Sequence, residues 1–319
     1  MAEMTGIEWA TSTFNPWWGC TRVSRACNGC YAETMAARFG VGWGRTADRR
    51  FFGDHHWNEP LTWNRKAAAT GQQWRVFCAS MADVFEDRDD LAAPRARLWE
   101  LIAATPALTW MLLTKRPENV AAMTPWPAQE WPAHVWLGVT AEDQKAAAQR
   151  IPLLLGTGAR TRFLSCEPLS GPLDLSAYLS GPPAAVCTLT RGRGGLADGD
   201  LQAVAAFGQY LRRAKGGPGI DWIITGGESG PRAVPSHPDW FRGLRDLALN
   251  SGVAFFFKQW GEYLAVLADD DLVAAGRPAR RLDERWTAVR VGKKAAGAML
   301  DGLAWQQIPT NLTQPDGRA

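Results

Sequence analysis

Short apolar runs rich in aromatic and aliphatic residues recur along the chain. Most positions within a run are apolar, whereas a strand with one face in water would alternate apolar and polar residues. The pattern therefore predicts strands of a sheet that is buried on both faces, as parallel sheets are. The six clearest runs cover residues 75–79, 109–113, 135–139, 161–165, 221–225 and 253–257.

Longer stretches between these runs indicate helices at residues 89–104, 142–155 and 238–250. Acidic residues stand at the start of each stretch, and an Asn-Ser-Gly sequence ends the third; both features mark helix termini. Strands that alternate with helices along a chain are typical of parallel sheets with crossover helices. The predicted fold class is therefore α/β.

Polar side chains directly follow the predicted strands. In an α/β barrel such positions meet at the rim formed by the carboxyl ends of the strands, where sites are built. Some of them, including Asp83, Glu142 and Ser229, also suit ordinary helix caps and turns. A lysine or glutamate at the end of an apolar run is harder to explain in this way, because its charge needs a partner. The residues concerned are Ser80, Asp83, Thr114, Lys115, Arg116, Thr140, Glu142, Glu167, Gly226, Gly227, Glu228, Ser229, Lys258 and Gln259.

The strand–helix rhythm breaks in one internal segment and again after the last predicted strand. Residues 171–220 are rich in glycine and proline and indicate an insertion with a helix at about 200–214. The arginines of this insertion form either a basic patch or a solvated loop. Residues 1–260 are predicted to form the barrel domain, and 261–319 a small C-terminal extension. A weaker strand at about 6–10 is predicted to precede the others.

The composition narrows the class of protein. The 319 residues, 46% of them hydrophobic, suffice for a large core, and a formal net charge of +3 is too small to predict a nucleic-acid partner by bulk electrostatics. Most of the 17 tryptophans are expected in the core, with a few available for base stacking. The sequence shows neither a signal peptide nor an 18-residue apolar stretch. Together with three isolated cysteines, this favours a reducing, cytoplasmic setting.

Three cysteines lie close together near the start of the chain, at Cys20, Cys27 and Cys30, with the spacing C-x6-C-x2-C. Three thiolates on one loop can bind three corners of a 4Fe-4S cluster and leave the fourth iron open. Zinc is an alternative, with His55 or His56 as the fourth ligand. A disulfide with one free thiol is a third interpretation.

Several segments occur in a characteristic order along the chain. They are Ile7-Glu-Trp9, Asn15-Pro-Trp-Trp-Gly-Cys20, Cys27-Asn-Gly-Cys-Tyr-Ala-Glu33, Leu113-Thr-Lys-Arg-Pro117, Val135-Trp-Leu-Gly-Val139, Phe163-Leu-Ser-Cys-Glu-Pro168, Trp222-Ile-Ile-Thr-Gly-Gly-Glu-Ser-Gly230 and Phe255-Phe-Phe-Lys-Gln-Trp260. Together they resemble a bacterial and phage family of unknown function that is often described by its three-Cys motif. That family is similar to radical S-adenosylmethionine (SAM) enzymes.

The resemblance implies a partial (β/α) barrel of the radical SAM type. It also implies a 4Fe-4S cluster on the three cysteines and SAM as second cofactor. In such enzymes the reduced cluster cleaves SAM to a 5′-deoxyadenosyl radical, which abstracts hydrogen from the substrate. The spacing here differs from the usual C-x3-C-x2-C, and the Gly-Gly-Glu sequence follows a late strand rather than an early one. The rim residues expected to contact SAM are Ser80, Asp83, Gly226, Gly227 and Glu228, and those expected to act in catalysis are Lys115, Glu167 and Lys258.

The resemblance also implies a protein partner, called the three-Cys-motif partner, because family members are often encoded beside it. A nucleic acid or a modified or damaged base is a candidate substrate, and no membrane partner is expected. The alternative function is a non-catalytic module, stabilised by zinc or by an inert cluster, that binds nucleic acid or protein. A zinc hydrolase ranks last, because the chain has only four histidines and no His-x3-His pair.

Overall fold

A computed structural model describes residues 5–179 and 219–309. The chain divides into two compact units. The first comprises Met1–Ala141, Lys145–Ser165 and Ser229–Arg232. The second comprises Glu142–Gln144, Cys166–Glu228 and Ala233–Ala319.

The strands of the described residues are short near the chain start and longer in the central sheet strands. They are β1 (Ser12–Thr13), β2 (Trp17–Trp18), β3 (Arg50–Phe51), β4 (Trp74–Cys78), β5 (Leu108–Thr114), β6 (Val135–Thr140), β7 (Arg162–Cys166), β8 (Trp222–Gly226), β9 (Ala254–Gln259), β10 (Tyr263–Leu267), β11 (Ala279–Arg281), β12 (Trp286–Arg290), β13 (Met299–Leu300) and β14 (Leu303–Ala304).

The α-helices of the described residues vary from one turn to more than four. They are α1 (Tyr31–Arg38), α2 (Asp54–Thr70), α3 (Ala92–Ala103), α4 (Val120–Met123), α5 (Gln144–Leu155), α6 (Pro238–Asn250), α7 (Asp271–Ala274) and α8 (Lys293–Ala296).

A parallel sheet organises the first unit. Its strands follow one another in the order β1, β4, β5, β6, β7, and each neighbouring pair is parallel. All six residues of β6 are buried, as expected for a strand that is covered on both faces. Trp110 and Trp136 are completely buried in this sheet. A separate antiparallel ribbon pairs β2 with β3 near the start of the chain.

The second unit combines a parallel strand pair with antiparallel elements. Strands β8 and β9 run parallel. Phe241 of α6 packs on Phe257 of β9 with a ring distance of 5.0 Å. Strands β10, β12 and β11 form a three-stranded antiparallel sheet, and β13 pairs with β14. Near the described end of the chain, the Gln307 side chain accepts a hydrogen bond from Phe255 N and so joins this segment to β9.

The α/β class is confirmed. All six predicted strands are present within one or two residues of their predicted ends, and parallel strand pairs occur in each of the two units. The three predicted helices are present too, the first opening with a short 3-10 turn at Asp89–Leu91. Twelve of the 17 tryptophans are buried, as the composition suggests.

One strand prediction is wrong. Residues 6–10 form a turn closed by Ala10 N and the Ile7 carbonyl, and the first strand is β1, two residues later. Trp9 nevertheless lies in the core, with its ring 4.6 Å from Phe77. Trp9 and Ala10, two of the apolar residues that suggest a strand here, are buried as part of a turn.

The predicted insertion at 171–220 lies mostly outside the described residues. This includes its helix at about 200–214 and its arginines. The proposed boundary after residue 260 stays a prediction. Among the described helices, none is long and apolar enough to cross a membrane.

Candidate metal and ligand site

Three short elements of the first unit carry the cysteines. Cys20 follows β2, Cys27 lies in the 3-10 helix Arg25–Gly29, and Cys30 is the N-terminal cap of α1. The chain reaches Cys20 through Gly19, which has φ of 115°. A side chain there would be strained, and its Cβ would lie 2.7 Å from Cδ of Arg49. A glycine is therefore required directly before the first cysteine.

The three cysteines line one cavity that is open to solvent. The carboxyl ends of β4, β5 and β6 supply other parts of its wall. This is the arrangement expected where parallel strands point their ends at one site. The polar and charged lining residues are Cys20, Thr21, Arg22, Cys27, Cys30, Tyr31, Ser80, Asp83, Thr114, Lys115, Arg116 and Thr140.

A buried ion pair stands beside Cys20. Nη1 of Arg116 donates to Oδ2 of Asp83 at 2.8 Å and to Sγ of Cys20 at 3.7 Å, and Nη2 donates to the Thr21 carbonyl at 2.7 Å. The Arg116 and Asp83 side chains are 7% and 8% exposed. Burial alone lowers the pKa of Arg116, but the charges of Asp83 and Cys20 outweigh it and raise that pKa. The guanidinium is therefore a permanent positive charge at this sulfur.

The Asp83 carboxylate is fully engaged by the protein. Besides Arg116, it accepts hydrogen bonds from the Thr114 hydroxyl at 2.8 Å, from Lys115 N at 3.0 Å and from Phe85 N at 3.1 Å. The predicted contact of Asp83 with SAM stays a prediction, but these four donors favour a different task. Asp83 fixes the position of Arg116 and of the residues that follow β5.

A second buried ion pair supports the first, and the sequence patterns do not reveal it. Nη2 of Arg49 lies 2.6 Å from Oε1 of Glu86, and both side chains are almost completely buried. The same arginine donates to the carbonyls of Gly44 and Ala47. Arg49 thereby closes the loop between α1 and β3. Neither residue follows an apolar strand directly, so the rim rule gives no signal for them.

The environments of two cysteines differ. Burial, together with the charge of Asp83, raises the pKa of the Cys20 thiol to about 12 although Arg116 opposes this. Burial also acts to raise the pKa of Cys27. A backbone hydrogen bond at Val23, the charge of Lys115 and hydrogen bonds at Ser24 outweigh burial and lower that pKa. Cys27 is thus the thiol of this pair that releases its proton more easily.

Two polar groups of the cavity are available to a ligand. The Lys115 side chain is half-buried and makes no ion pair with a carboxylate of the described residues, although its charge acts on Cys27. The Thr140 hydroxyl, at the end of β6, is 1% exposed and has no hydrogen-bond partner among the described residues. Leaving a buried hydroxyl unsatisfied costs about 1–3 kcal/mol. A ligand in the cavity can satisfy it.

Ser80 belongs to the wall of this cavity, as predicted for a rim residue. Its Oγ accepts a hydrogen bond from Nδ2 of Asn15 at 3.1 Å, and its carbonyl accepts one from the Tyr31 hydroxyl at 2.9 Å. Oδ1 of Asn15 also accepts from Met81 N at 2.7 Å. The segment after β4 is therefore pinned to the segment between β1 and β2.

The remaining predicted site residues belong to the second unit. Nζ of Lys258 lies 3.2 Å from Oε1 of Glu167, so the charge of each has the partner that its position requires. A Cβ on Gly226 would lie 2.7 Å from the same oxygen, and a Cβ on Gly227 would lie 1.9 Å from the Trp260 carbonyl. The two glycines therefore allow the end of β8 to approach the end of β9.

Glu228 supports a loop of the second unit. Its Oε2 accepts a hydrogen bond from Val234 N at 3.0 Å, and its carbonyl accepts one from Glu262 N at 3.0 Å. These two hydrogen bonds explain why a glutamate follows the two glycines, and the explanation needs no ligand. The predicted SAM contacts of Gly226, Gly227 and Glu228 stay predictions.

The donor set fits a 4Fe-4S cluster with one open iron. Cys20, Cys27 and Cys30 are free thiols, all are partly exposed, and all line the same cavity. Across residues 5–179 and 219–309, no three His, Cys, Asp or Glu side chains are gathered closely enough to form a ready metal site. A cluster on these cysteines would therefore require the three sulfurs to lie closer together than they do here.

The histidine suggested for the zinc alternative is otherwise engaged. Nε2 of His56 lies 2.9 Å from the Asn15 carbonyl, and its ring stacks on Phe14 at 4.7 Å. Burial lowers the pKa of His56, which keeps the ring neutral. This histidine serves the packing of α2. His55 is exposed and is not among the residues that line the cysteine cavity.

Fold and site together define an α/β protein with a three-thiol cavity at the carboxyl ends of parallel strands. The chain belongs to the family described as "Protein of unknown function (DUF5131)", which matches residues 4–309. Among solved structures, the chain has a distant similarity to a cysteine-to-alanine mutant of spore photoproduct lyase, with 13% identity and a TM-score of 0.38. The match covers 86% of this chain and 67% of that one. No curated protein matches the chain.

Proposed function

We propose that this protein is an iron–sulfur enzyme of the radical SAM type, with a partial barrel as its scaffold. Cys20, Cys27 and Cys30 would hold a 4Fe-4S cluster, and SAM would be the second cofactor. The observation that carries the proposal is the single cavity lined by all three thiols and by the carboxyl ends of β4, β5 and β6. When bound, this pair of cofactors supplies a radical that abstracts hydrogen from a substrate.

The lining of the cavity supports a ligand beside the metal. Lys115 offers a cation for a carboxylate or phosphate, and Thr140 offers an unpartnered hydroxyl. We therefore assign ligand binding to these two residues. Arg116 is assigned to stabilising the thiolate of Cys20.

Three thiolates and the acidic groups near them would repel one another without compensation. Arg116 and Lys115 supply two positive charges at the cavity wall. Hydrogen bonds and charges near ligand sulfurs are among the features that set the reduction potential of iron–sulfur clusters. Lys115 thus favours negative charge at Cys27, and Arg116 offers a hydrogen bond to the sulfur of Cys20, features that suit zinc thiolates as well.

Metal analysis separates the proposal from the zinc alternative. Anaerobically purified full-length protein is expected to contain iron and sulfide close to a 4:4 ratio per chain, with little zinc, since three thiolates bind such a cluster. It is also expected to release 5′-deoxyadenosine from SAM on reduction. One zinc per chain, with no iron after reconstitution, would refute the proposal in favour of the binding module.

The matched control uses two cysteine variants. Cys27→Ala is expected to lose nearly all iron while the far-ultraviolet circular dichroism stays unchanged, because Cys27 is partly exposed on a loop. Cys78→Ala removes a completely buried thiol of β4 and is expected to retain the iron. Full iron content in Cys27→Ala would count against the assignment of the ligands.

A further inference from the structure

Helix α1 exposes a row of large apolar side chains that starts at the cysteine cavity. Tyr31, Met35 and the C-terminal cap Phe39 are 54%, 40% and 60% exposed. Residues four apart lie on one side of a helix, so these three form a continuous row. Tyr31 also lines the cavity. The row therefore leads from the cavity along the outside of α1.

Aromatic rings and an arginine of the β2–β3 ribbon extend the row. The Phe39 ring lies 5.5 Å from Trp18, and the guanidinium of Arg50 lies 5.2 Å from the Trp18 ring and 5.5 Å from the Phe52 ring. Arg50 thus rests on two aromatic faces. We call Tyr31, Met35, Phe39, Trp18, Arg50 and Phe52 the α1 strip.

The segment that carries the α1 strip is strongly basic. Residues 17–53 contain six arginines and two acidic residues, a net charge of +4, whereas the whole chain has only +3. Glu33 and Glu86 pair with Arg22 and Arg49. The other arginines are exposed and make no ion pair with any residue that the structure describes; they are Arg25, Arg38, Arg45 and Arg50.

Exposed aromatic side chains in a segment with unpaired arginines fit one class of ligand. Bases of single-stranded nucleic acid stack on aromatic rings and guanidinium planes, and phosphates bind arginine. A protein helix would match Met35 and Phe39 but would leave the arginines unpaired unless it were acidic. We propose that the α1 strip binds single-stranded nucleic acid and directs it to the cysteine cavity. Chemistry on that strand rests on the proposed function, whereas binding to the strip does not.

Lys115 offers a binding group inside the cavity for the nucleic-acid strand. Its ammonium lies in the cavity wall and has no carboxylate partner among the described residues. A phosphate that flanks a base entering the cavity would meet this cation. The buried, unpartnered Thr140 hydroxyl can hydrogen-bond the edge of the same base.

The test measures fluorescence anisotropy of labelled oligonucleotides of about 12 nucleotides, within the usual site sizes of about 4–16. Single-stranded DNA, single-stranded RNA and a DNA duplex are compared on the full chain. A single strand is expected to bind best, and log K should fall with log salt concentration by about 0.7 for each phosphate contacted. The DNA and RNA arms identify the type of strand.

Two variants of the α1 strip are each paired with a control. Phe39→Ala and Arg50→Ala are each expected to weaken binding about tenfold, since a tenfold change is ~1.4 kcal/mol and the loss of one stacking contact is typically of this size. Leu153→Ala, at an apolar position of α5 that is 46% exposed, and Arg280→Ala, at an exposed position of β11, are expected to leave binding unchanged. Phe39→Trp is expected to retain affinity, which separates stacking from a general loss of structure.

Three results would overturn the inference. One is the absence of single-strand binding at low salt. Another is an equal loss of affinity in the α1 strip variants and in their controls. The last is tight binding of the oligonucleotide by Phe39→Ala, which would leave charge as the sole determinant of binding. Cys27→Ala is measured in parallel. Binding by this variant and by an iron-free wild type would sustain the α1 strip while the proposed enzyme fails. A protein that holds the cluster but does not bind single-stranded nucleic acid would sustain the proposed enzyme while the α1 strip fails.

Discussion

Arg116 joins two residues that sequence reasoning treats separately, a proposed cysteine ligand and a rim carboxylate. Its guanidinium lies between the Cys20 sulfur and Asp83, and the four donors to Asp83 hold that carboxylate in place. Position after a strand predicts that these residues meet at a rim. It does not reveal that the aspartate serves the arginine, because that depends on side-chain geometry.

Arg116→Lys is expected to make the midpoint potential of the cluster more negative. The variant keeps a positive charge but loses the fixed fork that reaches both Asp83 and Cys20, and hydrogen bonds to cluster sulfurs tune this potential. A shift on the order of 59 mV would correspond to a tenfold change in the one-electron reduction equilibrium. Redox titration followed by electron paramagnetic resonance measures it.

The control for this prediction is Arg97→Lys. Arg97 pairs with Asp54 on the surface of the first unit and does not line the cysteine cavity. The midpoint potential measured for the Arg97→Lys variant is expected to equal that of the wild type. Equal potentials for Arg116→Lys and the wild type would show that this arginine does not act on the cluster.

Lys258→Ala tests the predicted catalytic pair of the second unit. The lysine lies 3.2 Å from Glu167, and its side chain is 23% exposed. We expect SAM or substrate to bind at least tenfold more weakly, with a loss of about 1 kcal/mol in the free energy of unfolding, as for other partly exposed ion pairs. Equilibrium binding and urea unfolding give the two quantities. Unchanged affinity would remove Lys258 from the site.

At the scale of elements, apolar patterning locates the long buried strands. Strands β5 and β6 are nearly continuous apolar runs, and their bounds differ from the prediction by no more than one residue at each end. Helix α2 is missed, because Pro60 interrupts its pattern and its two histidines attract attention as ligands. Strand β1 is also missed, since two residues carry too little pattern to be recognised.

An ion-pair group ties α6 to the turn between β13 and β14. Asp301 accepts hydrogen bonds from Nε of Arg242 at 3.0 Å and from Nη1 of Arg245 at 2.5 Å, and its φ is 55°. Hydrogen bonding to Arg242 and Arg245 lowers the pKa of Asp301. Because the folded state prefers the ionised carboxylate, this stabilisation is present above the unfolded pKa. It is lost as the pH falls through the lower, folded value.

Asp301→Asn is expected to lower the free energy of unfolding at neutral pH by about 1 kcal/mol, a modest value because the group is partly exposed. Asparagine tolerates the left-handed backbone, so the substitution tests charge rather than strain. The difference between variant and wild type should begin to shrink as the pH falls below about 4 and should vanish below the folded pKa of Asp301. Urea unfolding across this range measures it.

Asp269→Asn is the matched control for the acid dependence. Asp269 is exposed and makes no ion pair with a described residue. The free energy of unfolding of Asp269→Asn should depend on pH in the same way as that of the wild type. If Asp301→Asn follows the wild-type pH dependence as well, the two arginines do not stabilise the fold through this carboxylate.

At the scale of the whole molecule, total charge conceals a local feature. A net charge of +3 gives no reason to expect a nucleic-acid partner, yet residues 17–53 alone carry +4. The sequence contains this information, but only the structure shows that four of these arginines are exposed and unpaired among the described residues and that one of them, Arg50, lies over two aromatic rings. The three-cysteine spacing points to metal from sequence alone. The unsatisfied Thr140 hydroxyl cannot be recognised from the sequence, because burial without a partner is a property of the folded chain.

The central claim is that the three thiols hold a cluster with an iron open to SAM. Its most direct test is the electron paramagnetic resonance spectrum of the anaerobically reconstituted, reduced full chain, recorded before and after SAM is added. The account predicts a 4Fe-4S signal that changes shape with SAM, is unchanged by adenosine, and is lost in Cys27→Ala. A wild-type protein without this signal, or with a signal that SAM leaves unaltered, would contradict it.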